Sequence, residues 1–232
     1  MVFFAGMKLT CFGHSCFSVE TAGVRLLFDP FITPNPLAKA VDVSKISADA
    51  ILVSHGHADH IADAVDIAKR TGARVVANYE VAEWLGKQGV AGTHGMNHGG
   101  SVKLGGVRVK LVNAVHSSVL PDGTYGGNPV GFVAETGEGN FYYAGDTGLT
   151  LDMKLIAEEF KLRFAVLPIG DTFTMGAADA ARAAKFCGAP VVVGVHYNTF
   201  PPIEIDTEAA KAVFAGEGLE LLLPAIGETV EL

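Results

Sequence analysis

The run His55-Gly56-His57-Ala58-Asp59-His60 places four potential metal ligands within six residues, directly after the apolar run Ala50-Ile51-Leu52-Val53. No other feature constrains the chain so strongly, because such crowding at a strand's end is hard to explain without a cation. Neutral imidazole nitrogen and carboxylate oxygen suit first-row divalent ions such as zinc, manganese, iron or nickel, whereas calcium and magnesium prefer all-oxygen shells. An extended or looping backbone lets His55 and His57 point the same way. Helix onset near Ile61 is expected to turn Asp59 and His60 toward a second position, which favours two adjacent ions.

Two ions need more ligands than these four, so further His or Asp residues are expected at the ends of other strands. Three candidates follow β-rich segments: His116 after Val109–Val115, Asp146 after Phe141–Gly145, and His196 after Val191–Val195. A single histidine beside an apolar run is ordinarily a hydrogen-bonded structural residue. Here five of the eight histidines occupy such positions, which argues against a purely structural origin for the set.

With these residues in this order, the chain resembles the metallo-β-lactamase superfamily, whose hallmark His-x-His-x-Asp-His precedes a downstream His, a Gly-Asp-Thr or similar Asp, and a final His. Gly13-His14-Ser15-Cys16-Phe17, Phe28-Asp29-Pro30-Phe31, Gly145-Asp146-Thr147-Gly148 and Gly170-Asp171-Thr172-Phe173-Thr174-Met175-Gly176 look like the UPF0173 group of metal-dependent hydrolases. The resemblance covers roughly residues 7 to 232. It implies a four-layer αββα sandwich of two mixed β-sheets flanked by helices, and two divalent transition-metal ions per chain. Zinc is the first expectation, with manganese, iron or nickel as alternatives. Carried over residue by residue, the pattern makes His55, His57 and His116 the ligands of one ion, Asp59, His60 and His196 those of the other, and Asp146 the bridge. A hydroxide held between the ions would be the nucleophile, with Asp59 orienting it.

The resemblance therefore implies a hydrolase acting on a small ester, lactone or phosphodiester, with sugar-phosphate lactonases as the nearest functional analogy. In the diiron oxygen-reducing branch of the superfamily the position of His57 is typically Glu, which favours hydrolysis here. The alternatives are an iron-dependent redox enzyme on the same fold and a non-catalytic, metal-stabilised binding protein. Seven ligands for two ions leave room for solvent, against a closed structural site.

Other residues stand close to this set in sequence. By its family motif His14 should approach the cleft, where it binds a substrate oxyanion or donates a proton, or else hydrogen-bonds a neighbouring loop. Asp29 is suited to accept from a ligand histidine's distal N–H, or to cap a turn. Asp171 has the same two options. Tyr197 to Ile203 should stand beside the metals, and Ser117, Ser118, Tyr125 and Asn128 could supply polar contacts. His94 and His98 sit among glycines that argue against a helix, and are expected to be surface or subunit-contact histidines. Cys11, Cys16 and Cys187 give no disulfide framework and are expected in core packing.

A chain of 232 residues, 49% hydrophobic and 18% charged, can bury one substantial core, and one domain over residues 1–232 is expected, with 1–6 as an N-terminal extension. Strand-like runs include Lys8–Phe12, Phe17–Glu20, Val24–Phe28, Val75–Ala77, Val107–Val112, Gly131–Glu135 and Phe164–Leu167. Helical stretches fit Ile61–Thr71, Glu80–Lys87, Leu151–Phe160, Ala177–Cys187 and Thr207–Gly216. A formal charge of −8 without clustered Lys or Arg argues against a nucleic-acid partner. A small-molecule substrate is expected, and an anionic one is compatible with a cleft made locally positive by two ions. No apolar stretch is long enough to span a membrane. A cytoplasmic protein is expected, and a homo-oligomer is compatible with the resemblance.

Overall fold

A computed structural model describes residues 6–232, so of the expected extension only Gly6 falls within the described residues. Two seven-stranded sheets face each other. The first contains β1 (Lys8–Gly13), β2 (Cys16–Thr21), β3 (Val24–Phe28), β4 (Ala50–Val53), β5 (Arg74–Asn78) and β6 (Thr93–Met96). The second contains β7 (Ser101–Leu104), β8 (Val107–Asn113), β9 (Val130–Thr136), β10 (Gly139–Tyr143), β11 (Leu162–Pro168), β12 (Val191–Val195) and β13 (Glu220–Leu222). Strand β14 (Thr229–Glu231) crosses back to lie antiparallel beside β1. Both sheets are mixed: antiparallel over β1–β3 and β7–β10, parallel over β3–β6 and β10–β13.

Helices α1 (Ala58–Ile61), α2 (Ala64–Thr71) and α3 (Tyr79–Lys87) belong to the first half, and α4 (Met153–Glu159), α5 (Ala177–Cys187) and α6 (Thr207–Gly216) to the second. They complete the four-layer αββα sandwich. Alternation along each strand is what builds the layers, since successive side chains leave opposite faces. In β4, Ala50 and Leu52 enter the core between the sheets while Ile51 and Val53 pack beneath the first helices. In β10, Phe141 and Tyr143 face inward and Tyr142 faces the second helices. Aromatic rings fill the middle, with Phe17 stacked on Phe28 at 4.6 Å and Phe141 on Phe164 at 5.0 Å. Among the described residues, no helix is long and apolar enough to cross a membrane.

The expected helix Ile61–Thr71 is two helices, and helical structure begins at Ala58, ahead of the expected onset at Ile61. The break falls at Asp63, whose carboxylate accepts from the backbone N–H groups of Ile32 (2.6 Å) and Thr33 (2.9 Å) while its own N–H donates to Pro30 O (3.0 Å). Periodicity carries no sign of such a tertiary tie. Strands β6, β7, β13 and β14 are not among the strand-like runs read from sequence; each has only three or four residues and at most one buried side chain.

Candidate metal centre

The parallel pairing of β3 with β4, and of β10 with β11 and β12, brings their C-terminal ends to one edge of the sandwich. Asp29, His55, Asp146 and His196 leave from those ends. His14 comes from the turn after β1, His116 from the segment after β8, and Asp59 and His60 from α1. Three of these residues take a left-handed backbone despite carrying side chains: His14 (φ 54°), Asp29 (φ 38°) and His196 (φ 54°). Such conformations cost of order 1–3 kcal/mol each and persist where surrounding structure fixes them, commonly at functional sites. Glycine answers the tightest approaches. At Gly145 (φ 62°) a Cβ would lie 2.8 Å from Val130 O, and at Gly170 it would lie against His196 O.

Two groups of donors result. His55, His57 and His116 form one, with His55 Nε2 2.9 Å from His57 Nδ1. His14, Asp59, His60 and His196 form the other. Asp146 Oδ2 stands between them, 3.0 Å from His196 Nε2, 3.2 Å from His60 Nε2, 3.7 Å from His116 Nε2 and 4.0 Å from His55 Nε2. Donors bound about 2.1 Å from one ion at square or tetrahedral angles lie roughly 3.0 to 3.4 Å apart, so the closest of these spacings suit shared coordination. The chemistry of the buried atoms agrees. His60 Nε2 and Asp146 Oδ1 are fully buried without a hydrogen bond, a costly state for polar atoms that a cation relieves. The site fits divalent metal.

The outer nitrogens of the ligand candidates are held unequally. His60 Nδ1 lies 2.7 Å from Asp29 Oδ2, an oxygen that also accepts from Ser54 Oγ (2.5 Å) and Tyr143 OH (2.5 Å), while Asp29 Oδ1 accepts from Ser54 N–H (2.7 Å). Ser54 Oγ in turn lies 2.9 Å from His55 Nδ1. Asp29 is thus a buried hub behind the histidines. At the mouth, the half-buried His57 has only Ser117 Oγ at 3.5 Å from its Nε2. Burial would lower the His60 imidazole, but the carboxylates of Asp146 and Asp29 outweigh it and hold it well above the usual histidine range. Burial lowers His55, His57 and His116. Asp146 is held well below the usual carboxylate range, because His60 and His196 overcome the opposing effect of burial.

His14 is buried and joins the second group directly: its Nε2 lies 3.1 Å from Asp59 Oδ2 and its Nδ1 3.0 Å from Thr199 Oγ1. Burial lowers its imidazole to about 4 although Asp59 pulls the other way. The Thr199 contact was not legible in the sequence beyond the expectation that this segment stands beside the site. Asp171 is exposed and accepts from Thr172 N–H at 2.8 Å, so it stabilises its own loop instead of backing a histidine. Ser118 braces the turn, accepting from Gly56 N–H (3.1 Å) and donating to Gly126 O (2.9 Å), and Tyr125 OH donates to Asn128 Oδ1. His94 and His98 lie apart from the cluster, against Arg74 and Pro129 O. All three cysteines are free, and Cys16 is buried, its thiol pushed well up by burial.

Comparison with known proteins places the chain in a family. A family profile described as the beta-lactamase superfamily domain matches residues 8–196. A UPF0173 metal-dependent hydrolase from Christiangramia forsetii is 50% identical over 227 residues, covering 97% of this chain and all of its own. Its counterpart from Flavobacterium johnsoniae is 49% identical over 226 residues with the same coverage. Among solved structures, a metallo hydrolase from the hyperthermophilic archaeon Ignicoccus hospitalis superposes with a TM-score of 0.88 at 38% identity, covering 97% of this chain and 98% of that one.

Proposed function

The chain belongs to the UPF0173 metal-dependent hydrolases of the β-lactamase superfamily, and from that premise we propose that it hydrolyses a small ester, lactone or phosphodiester at a dinuclear metal site. The observation that carries the reading is the position of Asp146 Oδ2 between two histidine groups, with His60 Nε2 and Asp146 Oδ1 buried there without hydrogen-bond partners. His55, His57 and His116 would hold one ion, and Asp59, His60 and His196 the other, with Asp146 shared. Bound there, two divalent ions would lower the pKa of a water molecule enough to supply hydroxide near neutral pH and would polarise the scissile group.

The chain's own residues do the rest. Asp29 fixes the His60 ring so that Nε2 faces the centre, and through Ser54 it steadies His55. Asp59 can orient the attacking water while its Oδ2 remains tied to His14. His14, neutral at physiological pH, lies between Thr199 Oγ1 and Asp59 Oδ2 and so positions the Asp59 carboxylate, with no imidazolium proton of its own to give. His57 distinguishes this site from the diiron redox branch, so hydrolysis stands ahead of iron chemistry. The protein fits a small-molecule substrate and, by its acidic balance, no nucleic acid.

The test pairs metal content with turnover. Protein purified without chelator is expected to carry two ions per chain and to hydrolyse members of a panel of lactones, carboxylic esters and phosphodiesters, with activity lost on metal removal and in Asp59→Ala. Well-folded protein that takes up no metal on reconstitution would sink the reading.

A further inference from the structure

The segments that frame the cluster are 114–129, 144–152, 169–176 and 196–206. They contain no Lys or Arg, against six carboxylates: Asp122, Asp146, Asp152, Asp171, Glu204 and Asp206. The segment 29–42 contributes one cation, the exposed Lys39. Enzymes that hold phosphate or carboxylate groups ordinarily surround them with Arg or Lys. Asp29, Asp59 and Asp146 would already offset three of the four positive charges that two divalent ions bring, leaving little to attract an anion.

What the mouth does offer is apolar. The rings of Phe31 and Phe200 flank His14 at 5.5 and 5.4 Å and lie 6.2 Å from each other. Thr172 Oγ1 donates to Pro202 O at 2.8 Å, which ties the loop bearing Phe173 to the turn that follows Phe200. Phe173 is 56% exposed at the tip of that loop, whose Asp171 and Thr172 take left-handed backbones (φ 61° and 55°). On the segment that carries His116, Val115, Val119 and Tyr125 are exposed as well. Exposed side chains of this size gathered round a candidate active site mark a ligand surface more readily than scattered surface residues do.

We infer that the substrate is a neutral carboxylic ester or lactone with an alkyl or aromatic arm, seated on a shelf of Phe200 and Phe173, with the buried Phe31 backing Phe200. The inference rests on the hydrolase reading above and narrows it: phosphodiesters and other anionic substrates are disfavoured.

Metal-loaded protein is assayed with p-nitrophenyl acetate, butyrate and hexanoate and with mono-p-nitrophenyl succinate, whose acyl arm matches the butyrate in length but ends in a carboxylate. The expected kcat/KM rises by about twofold per methylene on a half-open apolar shelf. The succinate should fall roughly tenfold or more below the butyrate, since its charge finds no partner. Phe200→Ala and Phe173→Ala should flatten the chain-length dependence, and Phe173 is exposed enough that its variant tests the shelf if Phe200→Ala does not fold. In parallel, calorimetric binding of phenyl alkyl ketones, which are not hydrolysed, should show the same chain-length dependence in wild type and its loss in the variants. Succinate turned over as well as butyrate, or a chain-length dependence absent or untouched by both variants, overturns the inference while leaving the hydrolase reading intact. Ketones bound with chain-length dependence but no ester or lactone hydrolysed would instead overturn the hydrolase reading.

Discussion

The two donor groups of the metal centre are built to different standards. The inner one is buried: His60, His196 and His14 are each at most 6% exposed, and His60 is anchored through Asp29 to Ser54 and Tyr143 across both sheets. The outer one opens to solvent at His57 and His116, and the contact behind His57 is a 3.5 Å approach from Ser117. The buried hydrogen bonds behind His60 fix its ring orientation in water-free surroundings, whereas the more open imidazoles rely on the ion itself for order. The inner group therefore resembles a preorganised socket and the outer group a clamp completed by its ligand.

The sharpest way to break this contrast is to truncate one histidine from each group. His60→Ala leaves the buried carboxylates of Asp29 and Asp146 facing a void and should destabilise the fold by about 3 kcal/mol or more, visible as a lowered Tm even without metal. His116→Ala should cost activity but less than about 1 kcal/mol of stability in the metal-free protein. Equal losses would erase the distinction.

Asp29→Ala comes next. Asp29 is expected to touch no ion, yet its loss should weaken metal binding by about 10- to 100-fold, measured by competition with a chromogenic chelator. Asp29→Asn should restore folding before it restores affinity, because the amide can still accept from Ser54 or Tyr143 but is a poorer partner for His60. Full affinity in Asp29→Ala would show that the hub serves stability alone.

Proton release distinguishes the groups more finely. His55, His57 and His116 have lowered values and are neutral at pH 7, so they surrender no proton to an incoming ion, whereas His60 is held above its usual range and must lose one. Calorimetric titration in buffers of different ionisation enthalpy should report up to about two protons released per chain at pH 7, one from His60 and one from the water that becomes hydroxide. The metal-free protein carries the matching sign: the contribution of protonated His60 to stability is complete below the ordinary histidine pKa and disappears as the pH rises through its raised folded value. Release of no proton would place His60 outside the shell. The smallest effect is expected for Ser117→Ala, less than about threefold in affinity, since removing a marginal exposed contact costs little.

The sequence exposed the parts of this centre that are local. The crowding of His55 to His60 and the placement of His116, Asp146 and His196 after apolar runs were readable because strand ends and ligand chemistry both leave marks on neighbouring residues. The hub was only half readable. Asp29 could be suspected as a histidine partner, but nothing in the chain indicated that Ser54 and Tyr143, which lie far from it in sequence, would share its oxygens. The contact of His14 with Thr199 and the tie from Asp63 to Ile32 and Thr33 are equally non-local. The longer strands announced themselves by their apolar residues, alternating in β8 and nearly continuous in β9 and β11, whereas β6, β7, β13 and β14 are too short and too exposed to do so.

Strand β14 carries a consequence for assembly. It pairs Lys8 with Glu231 and Leu9 with Val230, and the turn before it exchanges backbone hydrogen bonds with Cys11. A fragment that stops short of Thr229 would leave β1 as a bare sheet edge, open to pairing with another chain. Because this seam joins opposite ends of the described chain, forming it carries the closure entropy of a very long loop. A nick anywhere between the two sheets would leave the halves stitched together along it.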